Sequence, residues 1–315
     1  MALHVIVGAG AIGSGAARLL ADAGEQVRLL SRRGTGPEHP AIELIAADAS
    51  DTDRLSRLTD GAVALYNCAN PAYHRWLTDW PPMAAAMLTA AERSGAVLAI
   101  TGNLYGYGPV DGPITEDTPL AATNPKLRVR ADMWRTALAA SQAGRVRVTE
   151  VRGSDYVGPN SPSLISMYVL PAVAKGRAVQ LPASLDLPHT FTYTDDMART
   201  LVALAADERA WGSGWHVPSN PAVTVREIVD RACLVGGLPA PKLRSLPIPV
   251  VRVAELVSVQ LRELRHTEYQ WRRPFVMDSS RTQDVFGIRP TDLDEALRRA
   301  VEPLAVGRAS GAEAR

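Results

Sequence analysis

The sequence predicts an α/β protein with a doubly wound parallel sheet and a smaller mixed α/β lobe. Up to about residue 152, short runs of β-branched residues alternate with segments rich in Ala and Leu, which is typical of repeated βα units. A glycine-rich turn, GAGAIG, follows the first of these runs. Beyond residue 153 the alternation loosens and proline becomes frequent, so we expect a second lobe over the carboxyl ends of the strands.

Composition limits the class of protein. A chain of 315 residues with 46% apolar residues can form one large α/β domain with an appended lobe. The 34 basic and 33 acidic residues nearly balance, which argues against general nucleic-acid binding and favours a small-molecule partner. Cys68 and Cys233 form neither a metal-ligand cluster nor a disulfide framework. We therefore expect no metal, no membrane span, a cytoplasmic location and, as one option, a homodimer.

The elements of the first domain follow one another in the order that a doubly wound sheet requires. Strands are predicted at residues 3–7, 26–30, 42–46, 62–67, 97–101 and 146–152. Helices are predicted between them at residues 11–23, 51–59, 81–94 and 125–142. These elements make residues 1–152 the expected dinucleotide-binding (Rossmann) domain.

The second half is expected to be mainly a substrate-binding lobe, residues 153–307, with some segments returning to the first domain. Its helices are predicted at about residues 163–175, 195–208, 224–236 and 249–264. Residues 308–315, RASGAEAR, are expected to be a disordered tail.

The turn after the first strand indicates a cofactor site. Gly8, Gly10 and Gly13 form a G-x-G-x-x-G pattern with Ala11 and Ile12 between a predicted strand and a predicted helix. The glycines would permit a tight turn, let a pyrophosphate approach the backbone and place the helix amino terminus against the phosphates. A glycine-rich turn that binds nothing is the structural alternative.

The end of the second strand suggests which dinucleotide is bound. Ser31, Arg32 and Arg33 stand where a chain that prefers NAD places an Asp or Glu for the ribose diol. A hydroxyl and two guanidiniums suit a 2′-phosphate, so we predict NADP rather than NAD, although arginines at a strand end are also common without a ligand. Asp48, after the third strand, is a candidate acceptor for the adenine amino group or a simple turn residue. Ala69, after the fourth strand, is also predicted to line the cofactor.

Three further motifs carry a resemblance to a known family: TGNLYGYGP (101–109), VRGSDYVGP (151–159) and FTYTDDMA (191–198). With the glycine turn, they make the chain similar to an extended short-chain dehydrogenase/reductase of the NAD(P)-dependent epimerase/dehydratase type over nearly its whole length. The resemblance implies a Ser or Thr closing the fifth strand and a Tyr-x-x-x-Lys pair on the next helix. In that family the Tyr transfers the proton, the Lys lowers its pKa and holds the nicotinamide ribose, and the hydroxyl orients the substrate oxygen.

The chain departs from the family at the catalytic pair. Thr101 matches the hydroxyl position, but Lys126 and Arg130 occupy the positions of the Tyr and the Lys, so the resemblance is to an atypical branch. Three alternatives remain open. Lys126 donates the proton, with its pKa lowered by Arg130 and by burial; Tyr105 or Tyr107 supplies the phenol; or the two cations only anchor a cofactor phosphate or an acidic ligand. Lys126 and Arg130 lie four residues apart, on one helix face.

The sequence therefore predicts an NADP-dependent oxidoreductase or epimerase-like enzyme that acts on a small metabolite. Its predicted catalytic residues are Thr101, Tyr105 and Lys126, and Arg130 joins the cofactor-binding residues. The alternative is a sensor or regulatory protein that binds the cofactor without turnover, which the loss of the Tyr and Lys favours.

Overall fold

A seven-stranded parallel sheet forms the centre of the molecule, which we describe from a computed structural model at residues 1–258, 262–263 and 265–312. The strands of this sheet are β1 (Leu3–Val7), β2 (Gln26–Ser31), β3 (Ile42–Ala46), β4 (Ala62–Asn67), β5 (Val97–Asn103), β6 (Val148–Gly153) and, later in the chain, β10 (Ser213–His216). Their order is β10-β6-β5-β4-β1-β2-β3. The order reverses between β1 and β4, which is where doubly wound sheets bind ligands.

Four short strands lie outside this sheet. They are β7 (Asp155–Val157), β8 (Val179–Leu181), β9 (Phe191–Tyr193) and β11 (Leu243–Ser245). β7 pairs with β9 and β8 pairs with β11, both in parallel.

Helices cover both faces of the main sheet and build the second lobe. They are α1 (Ala11–Asp22), α2 (Thr52–Thr59), α3 (Trp76–Ser94), α4 (Pro125–Gln142), α5 (Leu170–Ala174), α6 (Thr194–Ala205), α7 (Val225–Gly236), α8 (Ile248–Ala254), α9 (Glu268–Arg272), α10 (Ser280–Phe286) and α11 (Leu293–Ala312). The α/β doubly wound prediction is confirmed.

Alternating side chains of each strand separate two layers of core. Ile6 packs with α1 and α6 on one face, whereas its neighbours Val5 and Val7 pack with α2, α3 and α4 on the other. The close approach of α1 to α6 uses Gly15, where a Cβ would lie 3.2 Å from the Cβ of Ala198. Thus α6 and β10, both from the second half of the sequence, complete the first domain. A separate apolar core underlies the second lobe.

One helix begins earlier than its sequence pattern predicted. We expected it at residues 81–94, a range that begins with the two prolines Pro81 and Pro82. Instead α3 begins at Trp76 and contains Pro81 and Pro82. Trp76 and Trp80 are one turn apart and nearly fully buried, so packing of these two rings against the sheet extends the helix.

Other boundaries in the second half also differ. The helix predicted at 249–264 ends at Ala254, and residues 259–261 and 264 of that prediction lie outside the described part of the chain. The segment predicted as a helix at 163–175 contains a short π-helix, Ile165–Val169, followed by α5. The last helix, α11, continues to Ala312 and so includes residues 308–312 of the segment that we expected to be a disordered tail, where Arg308, Ala309 and Ala312 favour a helix; residues 313–315 lie outside the described part of the chain.

Candidate active site

The glycine turn is shaped by close backbone contacts. Gly8 has a φ of 109°, and a Cβ there would lie 2.5 Å from the carbonyl oxygen of Cys68 and 2.6 Å from the amide nitrogen of Ala69. A Cβ on Gly13 would lie 1.9 Å from the Gly8 carbonyl oxygen. Gly10, which caps α1, has nothing within 4 Å of its Cβ position. The turn is therefore tight on the protein side and open at Gly10, next to the amino terminus of α1.

Two exposed arginines follow the end of β2. Arg32 and Arg33 are exposed, and neither forms an ion pair with any residue that the structure describes. The hydroxyl of Ser31 is used locally, since it accepts from the Thr35 amide at 2.9 Å and donates to the Thr35 carbonyl at 3.1 Å. Asp48 Oδ1 accepts from the amide and the hydroxyl of Ser50, at 2.9 and 2.7 Å. Those bonds, and then the charge of Arg32, lower the pKa of Asp48.

Thr101 and Arg130 meet beside the glycine turn. The Thr101 hydroxyl donates to Cys68 Sγ at 3.5 Å, and Cys68 is the residue whose backbone presses on Gly8. Arg130 donates a guanidinium hydrogen bond to the Thr101 carbonyl and lies 4.7 Å from the Trp80 ring centroid. It is only 5% exposed, and its Nε has no hydrogen-bond partner among the described residues. Burial lowers the pKa of Arg130, and the charge of Glu150 opposes that shift.

Lys126 is paired with a residue of the second lobe. Asn124 caps α4 by accepting from the Lys126 amide at 3.0 Å, and Pro125 is the first helical residue. The Lys126 ammonium forms an ion pair with the Glu263 carboxylate and lies 4.9 Å from the ring centroid of Tyr73. The two side chains of the pair are 8% and 21% exposed. The cation that stands in the phenol position is therefore neutralised by a carboxylate of the second lobe.

The two tyrosines considered as alternative phenols lie in different surroundings. Tyr105 packs among aromatic rings, 5.7 Å from Trp76. Burial, followed by the negative charge of Asp155, raises the pKa of Tyr105 well above its ordinary value. Tyr105 thus stays protonated.

Tyr107 belongs to a buried hydrogen-bond network. Its hydroxyl lies 2.8 Å from His216 Nε2 and accepts from Arg152 at 2.7 Å, while Arg152 also bonds Glu150 at 2.6 Å. Burial lowers the pKa of His216 to about 4, so the histidine is neutral. Tyr107 is only 1% exposed, and both partners of its hydroxyl belong to this network.

Sequence reasoning missed two acidic residues at this site. Asp155, inside the VRGSDYVGP motif, forms a 2.7 Å pair with the buried ring of His189, which stacks on Trp271 at 4.5 Å between ring centroids. The motif could have indicated Asp155. Glu263 has no comparable signal, because it lies 137 residues from Lys126 and belongs to no motif.

Within the described ranges, no group of three or more His, Cys, Asp or Glu residues is arranged to hold a metal ion. No described helix is long and apolar enough to cross a membrane.

The fold, the glycine turn at the amino terminus of α1 and the open end of β2 define an enzyme class that uses a nicotinamide dinucleotide. The model of the NAD dependent epimerase/dehydratase family matches residues 4–217, and the chain belongs to this family. The resemblance drawn from the sequence motifs is confirmed. A small-molecule substrate, as predicted from the balanced charge of the chain, fits this family.

Solved structures share the fold over nearly the whole chain. The Bordetella bronchiseptica enzyme WbmH, in complex with NAD+, is 21% identical with a TM-score of 0.75, covering 96% of this chain and 97% of WbmH. DesIV, a dTDP-glucose 4,6-dehydratase from Streptomyces venezuelae with NAD and TYD bound, is 18% identical with a TM-score of 0.78 and 98% coverage of both chains. The UDP-glucuronic acid 4-epimerase of Bacillus cereus, in complex with NAD, is 16% identical with a TM-score of 0.77 and 96% coverage of both. No curated protein matches the sequence.

Proposed function

We propose that this protein is an NADP-dependent oxidoreductase or epimerase that acts on a sugar nucleotide with a non-standard catalytic set. The observation that supports it best is the contact between Arg130 and Thr101 beside Cys68, which joins the atypical pair to the glycine turn. The sugar-nucleotide class is carried over from the solved relatives, whose descriptions name dTDP-glucose and UDP-glucuronic acid. Residues 1–152 would hold the cofactor, and residues 153–307 would supply most of the substrate site.

The cofactor would lie along the carboxyl edge of the sheet. Its pyrophosphate would bind the turn of Gly8 to Gly13, including Ala11 and Ile12, with Ala69 beside it. Arg32 and Arg33 would bind the 2′-phosphate, with Ser31 shaping the turn and Asp48 near the adenine. Arg130 would donate to the nicotinamide ribose through its unpartnered Nε edge.

The catalytic roles follow from charge and burial. Bound NADP would supply hydride transfer to or from a substrate carbon. Thr101 would orient the reacting oxygen, and the Lys126 ammonium would stabilise the negative charge that develops on it. Tyr105 would act as a neutral hydrogen-bond donor, because its raised pKa prevents it from serving as a base.

The second candidate function is a cofactor-binding sensor without turnover. The observation in its favour is that Lys126, at the proton-transfer position, already has a carboxylate partner in Glu263. An enzyme should change nicotinamide absorbance when substrate is added. A sensor should bind oxidised and reduced cofactor with different affinities and show no such change.

The NADP preference predicts different thermal shifts. NADPH should raise the melting temperature more than NADH does, and the double variant Arg32→Ala, Arg33→Ala should lose that difference. The two arginines are expected to contribute about 1.5–3 kcal/mol to the binding free energy of NADPH through charge-assisted hydrogen bonds. Arg57→Ala, which removes another exposed arginine, should keep it. Equal stabilisation of the wild-type protein by the two cofactors would refute the NADP assignment.

Arg130→Met should weaken NADP binding by about 1–3 kcal/mol, since it removes a buried charged donor. Isothermal titration would measure the change. Arg135→Met is the matched control, because Arg135 lies on the same helix but its side chain is 52% exposed. Unchanged NADP affinity in Arg130→Met would place the ribose elsewhere.

A further inference from the structure

Two residues of the second lobe, Glu263 and His266, lie against the beginning of α4. Glu263 pairs with Lys126, and His266 Nδ1 lies 2.9 Å from the Asn124 side-chain nitrogen. Burial, and then the charge of Glu263, raises the pKa of Tyr73, whose ring faces the Lys126 ammonium. Glu263 therefore occupies the space beside the residue that replaces the family's phenol.

The Lys126 side chain is 8% exposed and therefore buried, whereas the Glu263 side chain is half-buried, at 21% exposed. A buried ammonium that loses its carboxylate is strongly destabilised. A substrate carboxylate that takes the place of Glu263 would accept from the Lys126 ammonium, which has three donors and so can still donate to the reacting oxygen. A neutral group would leave the charge unpaired, whereas a carboxylate would restore the pair.

Arg130 adds to this preference. It lies one helical turn from Lys126, is 5% exposed and contacts no carboxylate within the described part of the chain. Two buried cations thus share a single directly bound carboxylate, that of Glu263. The charge of Glu150 also acts on Arg130, but Glu150 is already paired with Arg152. The positive charge of Lys126 and Arg130 therefore favours an anionic ligand over a neutral one.

We propose that Lys126, backed by Arg130, is the receptor for a carboxylate on the substrate, and that Glu263 occupies this receptor when no substrate is bound. The inference rests on the proposed function and narrows its substrate to acidic members of the class. The group that Glu263 presents is planar and singly charged, so a carboxylate fits the vacated space better than a larger, doubly charged phosphate.

The test uses Glu263→Ala, in which Lys126 loses its partner, and follows the melting temperature at constant ionic strength. Acetate should raise it by about 2 °C or more, while neutral acetamide should not. The acetate effect should vanish in the double variant Lys126→Met, Glu263→Ala. Glu43→Ala, which breaks an exposed pair with Arg28, should not respond to acetate. If Glu263→Ala fails to fold, Glu263→Ser, which also vacates the space beside Lys126, serves in the same comparison.

No response to acetate, or the same response in the double variant, would overturn the proposal, and greater stabilisation by inorganic phosphate would overturn the choice of a carboxylate. NADPH stabilisation of the same samples reports the cofactor site separately.

Binding to the wild-type protein then compares UDP-glucuronic acid with UDP-glucose, which differ at one carboxylate. The acid should bind about tenfold more tightly or better, and Lys126→Met should abolish the difference. Equal measurable affinities would overturn the proposal. Absence of binding by both would contradict the sugar-nucleotide function, while the acetate comparison would still decide the carboxylate receptor.

Discussion

Lys126→Met is expected to lower kcat/KM by roughly a hundredfold or more, which is the size of effect expected when polarisation of the reacting oxygen is lost. The affinity for NADP should change by only about a few fold. The reason is position: Lys126 stands where the family places its proton-transfer residue, whereas the glycine turn and the exposed arginines lie elsewhere on the sheet edge. Steady-state kinetics with a sugar nucleotide that the wild-type protein converts would give kcat/KM, and titration with NADP would give the cofactor affinity.

Arg128→Met is the matched control for this prediction. Arg128 lies on the same helix, but its side chain is 56% exposed and pairs with the equally exposed Asp132. It should retain wild-type turnover. If Lys126→Met also keeps its turnover and its melting temperature, the catalytic group must be sought at Thr101, Tyr105 or Asp155.

Gly13→Ala should abolish measurable cofactor binding and lower the melting temperature. The new methyl group would lie 1.9 Å from the Gly8 carbonyl oxygen, and because that oxygen belongs to the backbone, the turn itself must shift. Overpacking of this kind costs about 1–3 kcal/mol of folding stability. Thermal unfolding with and without NADPH would report both effects.

Gly10→Ala separates binding from folding. Its Cβ would have no neighbour within 4 Å and its φ of −77° suits alanine, so stability should be nearly unchanged. The methyl group would nevertheless stand between the backbone and an approaching pyrophosphate, so NADPH affinity should fall about tenfold or more. Wild-type affinity in Gly10→Ala would show that the pyrophosphate does not pass over this turn.

The sheet, the glycine turn and the beginning of α4 could be predicted from the sequence, because each has a local cause. Strand runs and helix segments alternate within a few residues of one another, and Asn124 followed by Pro125 is a helix start that needs no distant partner. The absence of the Tyr and Lys at positions 126 and 130 is likewise a local fact, visible once the motifs are aligned along the chain.

The surroundings of those positions were decided by tertiary packing. Glu263 reaches Lys126 across 137 residues, and Asp155 is held by His189, which lies 34 residues further along the chain. Neither pairing leaves a periodic or spacing signal, because an ion pair depends on where two lobes meet in space. The early start of α3 has the same origin, since Trp76 extends the helix only when its ring has a sheet to pack against. The sequence alone thus determined which side chains are available for the site, and the packing of the second lobe on the first decided which of them are charged, buried and neutralised there.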